Sequence, residues 1–208
     1  MKIIDCEQGS DQWFAARLGV PSGSMFNKII TPAKLEPSKQ AADYVNKLCA
    51  EWVLGKGEDN YQSKDMENGV VTEEEARDWY IFQTGYAVEQ VGFCLADNEQ
   101  YGVSPDGLIK IEKGGVEIKC PTPGVHFGYF VDDKVPPIYK LQVLAGLLVT
   151  GYDWWDFVSY HPDMKPLIVR TWRKDVIDDL EKLEKSLVVI NKQIFDKKKI
   201  ATEKGLKQ

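Results

Sequence analysis

The chain has 208 residues, 43% of them hydrophobic, with 6 Trp, 9 Tyr and 8 Phe, and it carries 26 basic and 32 acidic side chains for a formal net charge of −6. That is apolar surface enough for one sizeable core. The charge argues mildly against a non-specific DNA binder while leaving room for a local basic groove on an acidic body. Exclusions follow. No apolar run is long enough to cross a membrane. Asp5, Glu7 and Asp11 interrupt the stretch where a secretory signal needs apolar residues, so the chain reads as cytoplasmic. Cys6, Cys49, Cys94 and Cys120 form no C-x-x-C pair and read as reduced core thiols. Two histidines, His126 and His161, rule out a His-rich zinc site or an H-E-x-x-H helix. No G-x-S-x-G context supports a Ser-His-Asp triad.

In chain order, residues 10–18 predict a short helix capped by Ser10 or Asp11 and ended by Gly19. Residues 22–30 predict a second, stopped before Pro32, and 32–39 a loop. Residues 41–54 place Tyr44, Leu48, Cys49, Trp52 and Val53 on one helical face. The polar segment 55–65 reads as a mobile surface loop. Residues 66–84 favour helix, with Thr72 and Glu75 spaced as a capping box and Gly85 closing it, though an earlier start is equally open. Strands are expected at 88–95, 108–112, 115–119, 154–160 and 167–172, with 108–119 a hairpin around Lys113-Gly-Gly. A helix over 137–150, containing Gln142, lies between the third and fourth. The result is α/β: a central mixed sheet flanked by helices, in one domain of residues 1–208. The charged tail from 174 to 199 predicts a long helix with Val176, Leu180, Leu183, Leu187, Ile190 and Ile194 along one stripe. The stripe suits a helix lying on its own domain or a coiled-coil subunit contact.

The chemistry concentrates in 104–121, Ser-Pro-Asp-Gly followed by a hairpin ending Glu-Ile-Lys-Cys-Pro. Strand alternation sends Glu117 and Lys119 to one side and Ile118 into the core. Asp106 opens the neighbouring strand, so pairing brings its carboxylate beside Glu117. Adjacent carboxylates stay ionised only with a cation between them. Magnesium suits such hard oxygen ligands, and a bound metal can polarise a phosphodiester, with room for a second ion. Lys119 would orient or help deprotonate the attacking water. An SPDG turn or an E-x-K strand alone is commonplace; their combination at hairpin spacing is not.

Asp106 followed by Glu117-x-Lys119 resembles the PD-(D/E)xK nuclease motif. The surroundings resemble the phage-lambda-type exonucleases, or YqaJ-like viral recombinases, over nearly the whole chain. The matching residues are Arg17-Leu-Gly-Val with Ser24, Gly69 with Glu73 and Ala76-Arg77, Ser104-Pro-Asp-Gly, Glu117-Ile-Lys-Cys-Pro, Gln142-Val, and Tyr160-His-Pro-Asp-Met. The resemblance implies a restriction-endonuclease-like fold and a 5′-to-3′ exonuclease acting on linear double-stranded DNA. It implies a ring-shaped homotrimer, a single-strand annealing partner and work inside a bacterial host cell. It places metal ligands at Asp106, Glu117 and the Ile118 backbone carbonyl, with Glu73 an additional acid, for two magnesium ions that manganese can replace. Gln142 matches a glutamine near the catalytic lysine. The wider superfamily's Q-x-x-x-Y pattern is broken here, because its last position is Gly146. Arg17 and Ser24 match the residues that hold a terminal 5′-phosphate, a task suited to a guanidinium and a hydroxyl, with Ser104 in the same pocket. Read without the resemblance, Arg17 and Ser24 are a surface arginine and a helix cap, Glu73 an acid complementing a helix dipole, and Trp13 a core residue rather than a base-stacking one. The competing functions are a structure-selective or restriction-type endonuclease and a non-catalytic DNA-binding or assembly module. A two-carboxylate sugar hydrolase has no support beyond the acids.

Overall fold

The computed structural model describes residues 1–57 and 64–207, with the backbone alone at 64–71. Strand β1 (Lys2–Ile4) leads to helix α1 (Asp11–Arg17), a 3-10 turn at Gly23–Met25, helix α2 (Phe26–Ile29), and a small ribbon of β2 (Ile30–Thr31) with β3 (Glu36–Pro37). Helices α3 (Ala41–Leu54) and α4 (Lys64–Thr84) precede strands β4 (Phe93–Leu95), β5 (Gly102–Val103), β6 (Gly107–Ile109) and β7 (Gly114–Lys119). Helices α5 (Pro123–Asp132) and α6 (Lys140–Thr150) cross to β8 (Trp154–Ser159) and β9 (Leu167–Trp172), and α7 (Ile177–Glu203) follows.

The central sheet has the order β6-β7-β8-β9, antiparallel at its two outer pairings and parallel between β7 and β8. Parallel neighbours need a long crossover, which α5 and α6 supply. Strand alternation sorts the side chains. Val116, Ile118, Trp154 and Val158 face Ala76 and Tyr80 of α4. Leu108, Trp155 and Phe157 join the larger core with α3, α6 and α7. The mixed sheet with helices on both faces is the expected architecture. Strand β4 falls within the strand expected at 88–95 but belongs to a second, antiparallel sheet with β1 and β5, which lies outside that expectation; β1 and β5 are too short for a two-residue period to show.

Several boundaries differ from the sequence reading. The expected helix over 22–30 is a 3-10 turn followed by a four-residue helix, because Ile30 turns extended to pair with Pro37. Helix α4 starts at Lys64, so Thr72 lies inside it rather than at a cap. The segment 55–65 lies largely outside the described residues. Glycines 114 and 115 belong to β7, not to the hairpin turn. The Trp154 and Trp155 rings lie where their β-carbons would stand, at 2.1 and 2.3 Å, so only glycine fits. The turn falls at 110–113, with Lys113 taking the left-handed conformation at φ 49°. Helix α5 was not foreseen, although Thr122-Pro123 gives a recognisable start with proline at the first helical position.

Two buried polar groups fasten these layers. Asp156 of β8, with no exposed surface, accepts from Arg170 Nε and Nη2 at 2.8 Å each and from the Tyr80 hydroxyl at 2.6 Å. The Arg170 guanidinium also lies 3.6 Å from the Trp154 ring centroid. His126 of α5 is buried, 2.7 Å from the Ser159 hydroxyl and 3.1 Å from the Lys165 carbonyl. A carbonyl only accepts, so Nε2 donates to it and Nδ1 accepts from Ser159. This Ser-His pair is sealed from solvent and pins α5 to the sheet. On α7 the stripe of Leu180, Leu183, Leu187, Ile190 and Ile194 is buried against its own chain, the first of the two readings given for it. Among the described residues no helix is long and apolar enough to cross a membrane.

Candidate active site

The register Gly107↔Val116 places Asp106 opposite Glu117 at the end of the hairpin. Asp106 Oδ2 accepts from the Ile118 backbone N–H at 2.5 Å, which ties the aspartate across the strands. Ile118 turns into the α4 face of the sheet and is 2% exposed. Glu117 and Lys119 therefore project toward the opposite face, where Lys119 Nζ stands 2.5 Å from Glu117 Oε1. Gln142 reaches down from α6 and donates to the same Oε1 at 2.8 Å. The sheet thus brings together Asp106, Glu117 and Lys119, as the alternation argument requires, and α6 adds Gln142.

Glu73 approaches from α4. Its Oε1 accepts from Arg77 Nη2 at 2.7 Å. The same arginine, almost wholly buried, donates through Nε to the Asp106 carbonyl at 2.9 Å. Turned to suit its neighbours, the Gln90 amide oxygen meets Arg77 as well, at 2.7 and 3.1 Å. Arg77 is the residue that joins the helical acid to the hairpin acid. It was visible in the sequence only as part of a resemblance: its tie to Glu73 is a common i,i+4 helix pair, and its partners Gln90 and Asp106 lie beyond the helix. Because α4 is already helical at Lys64, Glu73 stands well inside the helix rather than in its first turn, which removes the helix-dipole explanation of that acid.

The electrostatics are those of a crowded, desolvated acid cluster. Burial pushes the Glu117 carboxyl up to about 7, with Lys119 opposing and Asp106 adding to the rise. Burial and then Asp106 push Glu73 up to about 7 against the pull of Arg77 and Lys119. Asp106 is raised by burial, against Lys119, the Ile118 N–H and Arg77. For Lys119, burial works downward, but Glu117 and Asp106 outweigh it and hold the ammonium above its ordinary value. Its Nζ also lies 5.4 Å from the Tyr139 ring centroid, a neighbour that sequence reasoning passed over. Gly146, where the Q-x-x-x-Y pattern has its tyrosine, lies under Trp155: a β-carbon there would come within 2.5 Å of the indole.

Among the described residues no three carboxylate, imidazole or thiol groups form a cage for a cation by themselves. Magnesium does not need one, because it keeps several waters and binds through one or two carboxylates. The donor set fits that habit. Glu117 Oε1 takes both Lys119 and Gln142, and Asp106 Oδ2 takes Ile118. Among the described residues no hydrogen bond claims Glu117 Oε2 or Asp106 Oδ1.

A second cluster adjoins the first through the chain at Ser104. Trp13 Nε1 donates to the Ser104 hydroxyl at 2.8 Å and to the Gly92 carbonyl at 3.0 Å. The Arg17 guanidinium lies 3.8 Å from the Trp13 ring centroid and donates to Ser22 Oγ at 3.2 Å. Ser22 Oγ is 3.4 Å from Ser24 Oγ. Burial pulls the Arg17 guanidinium below its ordinary value, with Tyr44 and Glu51 opposing. Contacts thus link Ser104, Trp13, Arg17, Ser22 and Ser24 in one chain, and Trp13 is half-buried within it. The helix after Ser22 is too short to add an N-terminal field of its own.

Comparison with known proteins bears on the family and the fold. An alkaline exonuclease (LHK-Exo) from Laribacter hongkongensis superimposes with a TM-score of 0.81 at 28% identity, covering 94% of this chain and 98% of that one. The same exonuclease in complex with dAMP gives 0.76 at 29% identity, over 93% and 99% of the two chains. A phage related exonuclease from Haemophilus somnus 129PT gives 0.58 at 16% identity over 86% and 96%, a likeness of fold alone. No curated protein sequence matches. The fold is that of the PD-(D/E)xK nucleases, as the hairpin motif led one to expect. The YqaJ-like viral recombinase domain matches residues 12–153, well over half the chain and all of the hairpin with Gln142, and the protein belongs to that family.

Proposed function

We propose that this protein is an exonuclease that digests one strand of linear double-stranded DNA from its 5′ end, leaving a 3′ single-stranded overhang for annealing-type recombination. The observation that carries the reading is the meeting of Asp106, Glu117 and Lys119 across the β6–β7 hairpin. It occurs in a chain that shares its fold with an alkaline exonuclease. That relative binds dAMP, a nucleoside monophosphate of the class an exonuclease releases.

In this reading Asp106, Glu117 and the Ile118 carbonyl hold magnesium, with Glu73 an additional ligand where two ions bind, and manganese substitutes. The bound metal supplies Lewis acidity and charge neutralisation at the phosphodiester. Lys119 orients the attacking water and sets its positive charge beside the charge that develops on the phosphoryl oxygens. Gln142, by donating to Glu117 Oε1, keeps Oε2 turned outward. Arg17 forms charge-assisted hydrogen bonds to the terminal 5′-phosphate, joined by the hydroxyls of Ser24 and Ser104. The assembly is a homotrimer around the duplex, and its partner is a single-strand annealing protein.

The test is digestion of a blunt linear duplex labelled at either end. Magnesium is expected to support digestion, EDTA to stop it and manganese to restore part of it, with the 5′ label released before internal label. Release of internal label first would refute the polarity. Cutting of covalently closed circles would favour the endonuclease instead. Replacing Arg17 with alanine is expected to cut the preference for a 5′-phosphate over a 5′-hydroxyl by roughly 10- to 100-fold, the worth of a hydrogen bond to a charged group. The readout is kcat/KM on the two ends.

A further inference from the structure

The charge along the chain is unevenly distributed. Residues 191–208 contain Lys192, Lys197, Lys198, Lys199, Lys204 and Lys207 against Asp196 and Glu203, a net of +4. The whole chain totals −6, so the preceding 190 residues carry −10. Lys192 and Lys199 pair with the two acids one turn away. Among the described residues the other four lysines have no carboxylate partner.

These lysines surround aromatic rings. Lys207 and Lys198 stand 4.3 and 5.5 Å from the Trp52 ring centroid, and Lys207 also donates to the Trp52 carbonyl. Phe195, on the same end of α7, is 66% exposed. Trp52, Phe195, Lys198, Lys199, Thr202 and Glu203 line a recess of about 420 Å³, the Glu203 carboxylate being the one that pairs with Lys199. An exposed phenyl ring and an indole flanked by ammonium groups together make a basic, aromatic surface. It suits a ligand that is anionic along its backbone and offers flat faces to stack, which describes single-stranded nucleic acid. A duplex keeps its base faces stacked on one another and has no use for the ring.

The position of the patch says which strand. Lys198 Nζ donates to the Gly19 carbonyl at 3.3 Å, two residues from Arg17. Arg17 lies on Trp13, Trp13 bonds Ser104, and Ser104 stands two residues before Asp106. The order is therefore acids, 5′-end pocket, basic aromatic patch. Beyond the pocket for the 5′ end the digested strand does not continue, and the strand left behind does. We propose that the C-terminal end of α7, with Trp52, holds the undigested 3′-ended strand as single-stranded DNA, an inference that rests on the polarity and end pocket of the proposed function.

The experiment is fluorescence anisotropy of a labelled 20-residue oligothymidylate with the full chain in EDTA, across a salt series. Lys197→Glu with Lys199→Glu is expected to weaken binding roughly 10- to 30-fold at 0.1 M salt. The slope of log affinity on log salt should fall by about 1.4, since each single-strand phosphate contact contributes about 0.7. Phe195→Ala is expected to weaken it about fivefold or more through lost stacking. Lys182→Glu with Lys185→Glu, near the other end of α7, is the control and is expected to stay within twofold. These are exposed helix positions, and circular dichroism melts confirm folding. Unchanged affinity in the 197/199 and 195 variants overturns the proposal, and so does an equal loss for a blunt hairpin duplex, which would make the patch a duplex contact. Digestion of linear DNA by the unaltered protein in magnesium separates the two readings. If digestion proceeds while the variants bind oligothymidylate normally, this inference alone falls. If the unaltered protein digests nothing, the exonuclease reading falls and takes this one with it.

Discussion

Asp106→Asn is expected to lower cleavage of linear duplex by roughly a thousandfold or more, since a bound metal contributes several kcal/mol at the phosphoryl group and about 1.4 kcal/mol is tenfold in rate. The asparagine oxygen can still accept from the Ile118 N–H, so the hairpin keeps its tie. The same variant is expected to melt higher than the unaltered protein in EDTA at pH 7. Burial raises the Asp106 carboxyl above its ordinary value, so its ionised form costs folding energy at neutral pH, and a neutral amide removes that cost. The gain shrinks as pH falls below the carboxylate range, where Asp106 is protonated in both folded and unfolded chains. Scanning calorimetry at pH 7 and pH 4 beside an initial-rate assay checks both halves. Cleavage at the unaltered rate would remove Asp106 from the metal site. A lower melting temperature at pH 7 would mean the carboxylate is not the burden its surroundings make it.

Arg170→Met is expected to destabilise the fold by about 3–5 kcal/mol, the cost of leaving a buried charge without its partner. Asp156 has no exposed surface, and the arginine supplies two of its three hydrogen bonds. The guanidinium's stacking on Trp154 is lost as well. For a chain of this size the melting temperature falls by on the order of 10 °C. Adding Asp156→Val and Tyr80→Phe is expected to recover most of the loss, because the buried carboxylate and phenol go with the arginine and only the half-buried Tyr86 hydroxyl loses a partner. Urea unfolding of the single and triple variants decides it. Equal destabilisation in both would show that packing rather than charge governs the site.

How much of this was legible in the sequence depended on distance along the chain. The Asp106–Lys119 hairpin is contained in 14 consecutive residues, and a period of two suffices to place Glu117 and Lys119 on one face. The buried stripe of α7 was equally plain, because a long helix repeats its signal. The turn of the same hairpin was misplaced because Gly114-Gly115 looks like a turn to any local rule, and the tryptophans that require glycine there lie 40 residues onward. Gln142 reached the site through a resemblance, since on its own it was a polar residue on an apolar helix. Arg77 and Tyr139 were not singled out as site residues at all. Arg77 has one local partner, Glu73 a turn earlier on α4, but its ties to Asp106 and Gln90, and that of Tyr139 to Lys119, lie on other elements and leave no local record. Trp13 was weighed as a core residue; it stands half-buried beside Arg17, its indole N–H received by Ser104, 91 positions away.

Gly146 shows how one missing side chain can set a reach. With nothing but hydrogen beyond its α-carbon, α6 settles directly on the Trp155 indole, and the amide four residues earlier descends with it onto Glu117. A tyrosine in that place would prop the helix off the sheet like a shim and draw the amide away from the carboxylate. In this chain, proximity of the helix and a phenol at that position are mutually exclusive. The ring near the Lys119 ammonium comes instead from Tyr139, one turn ahead of Gln142.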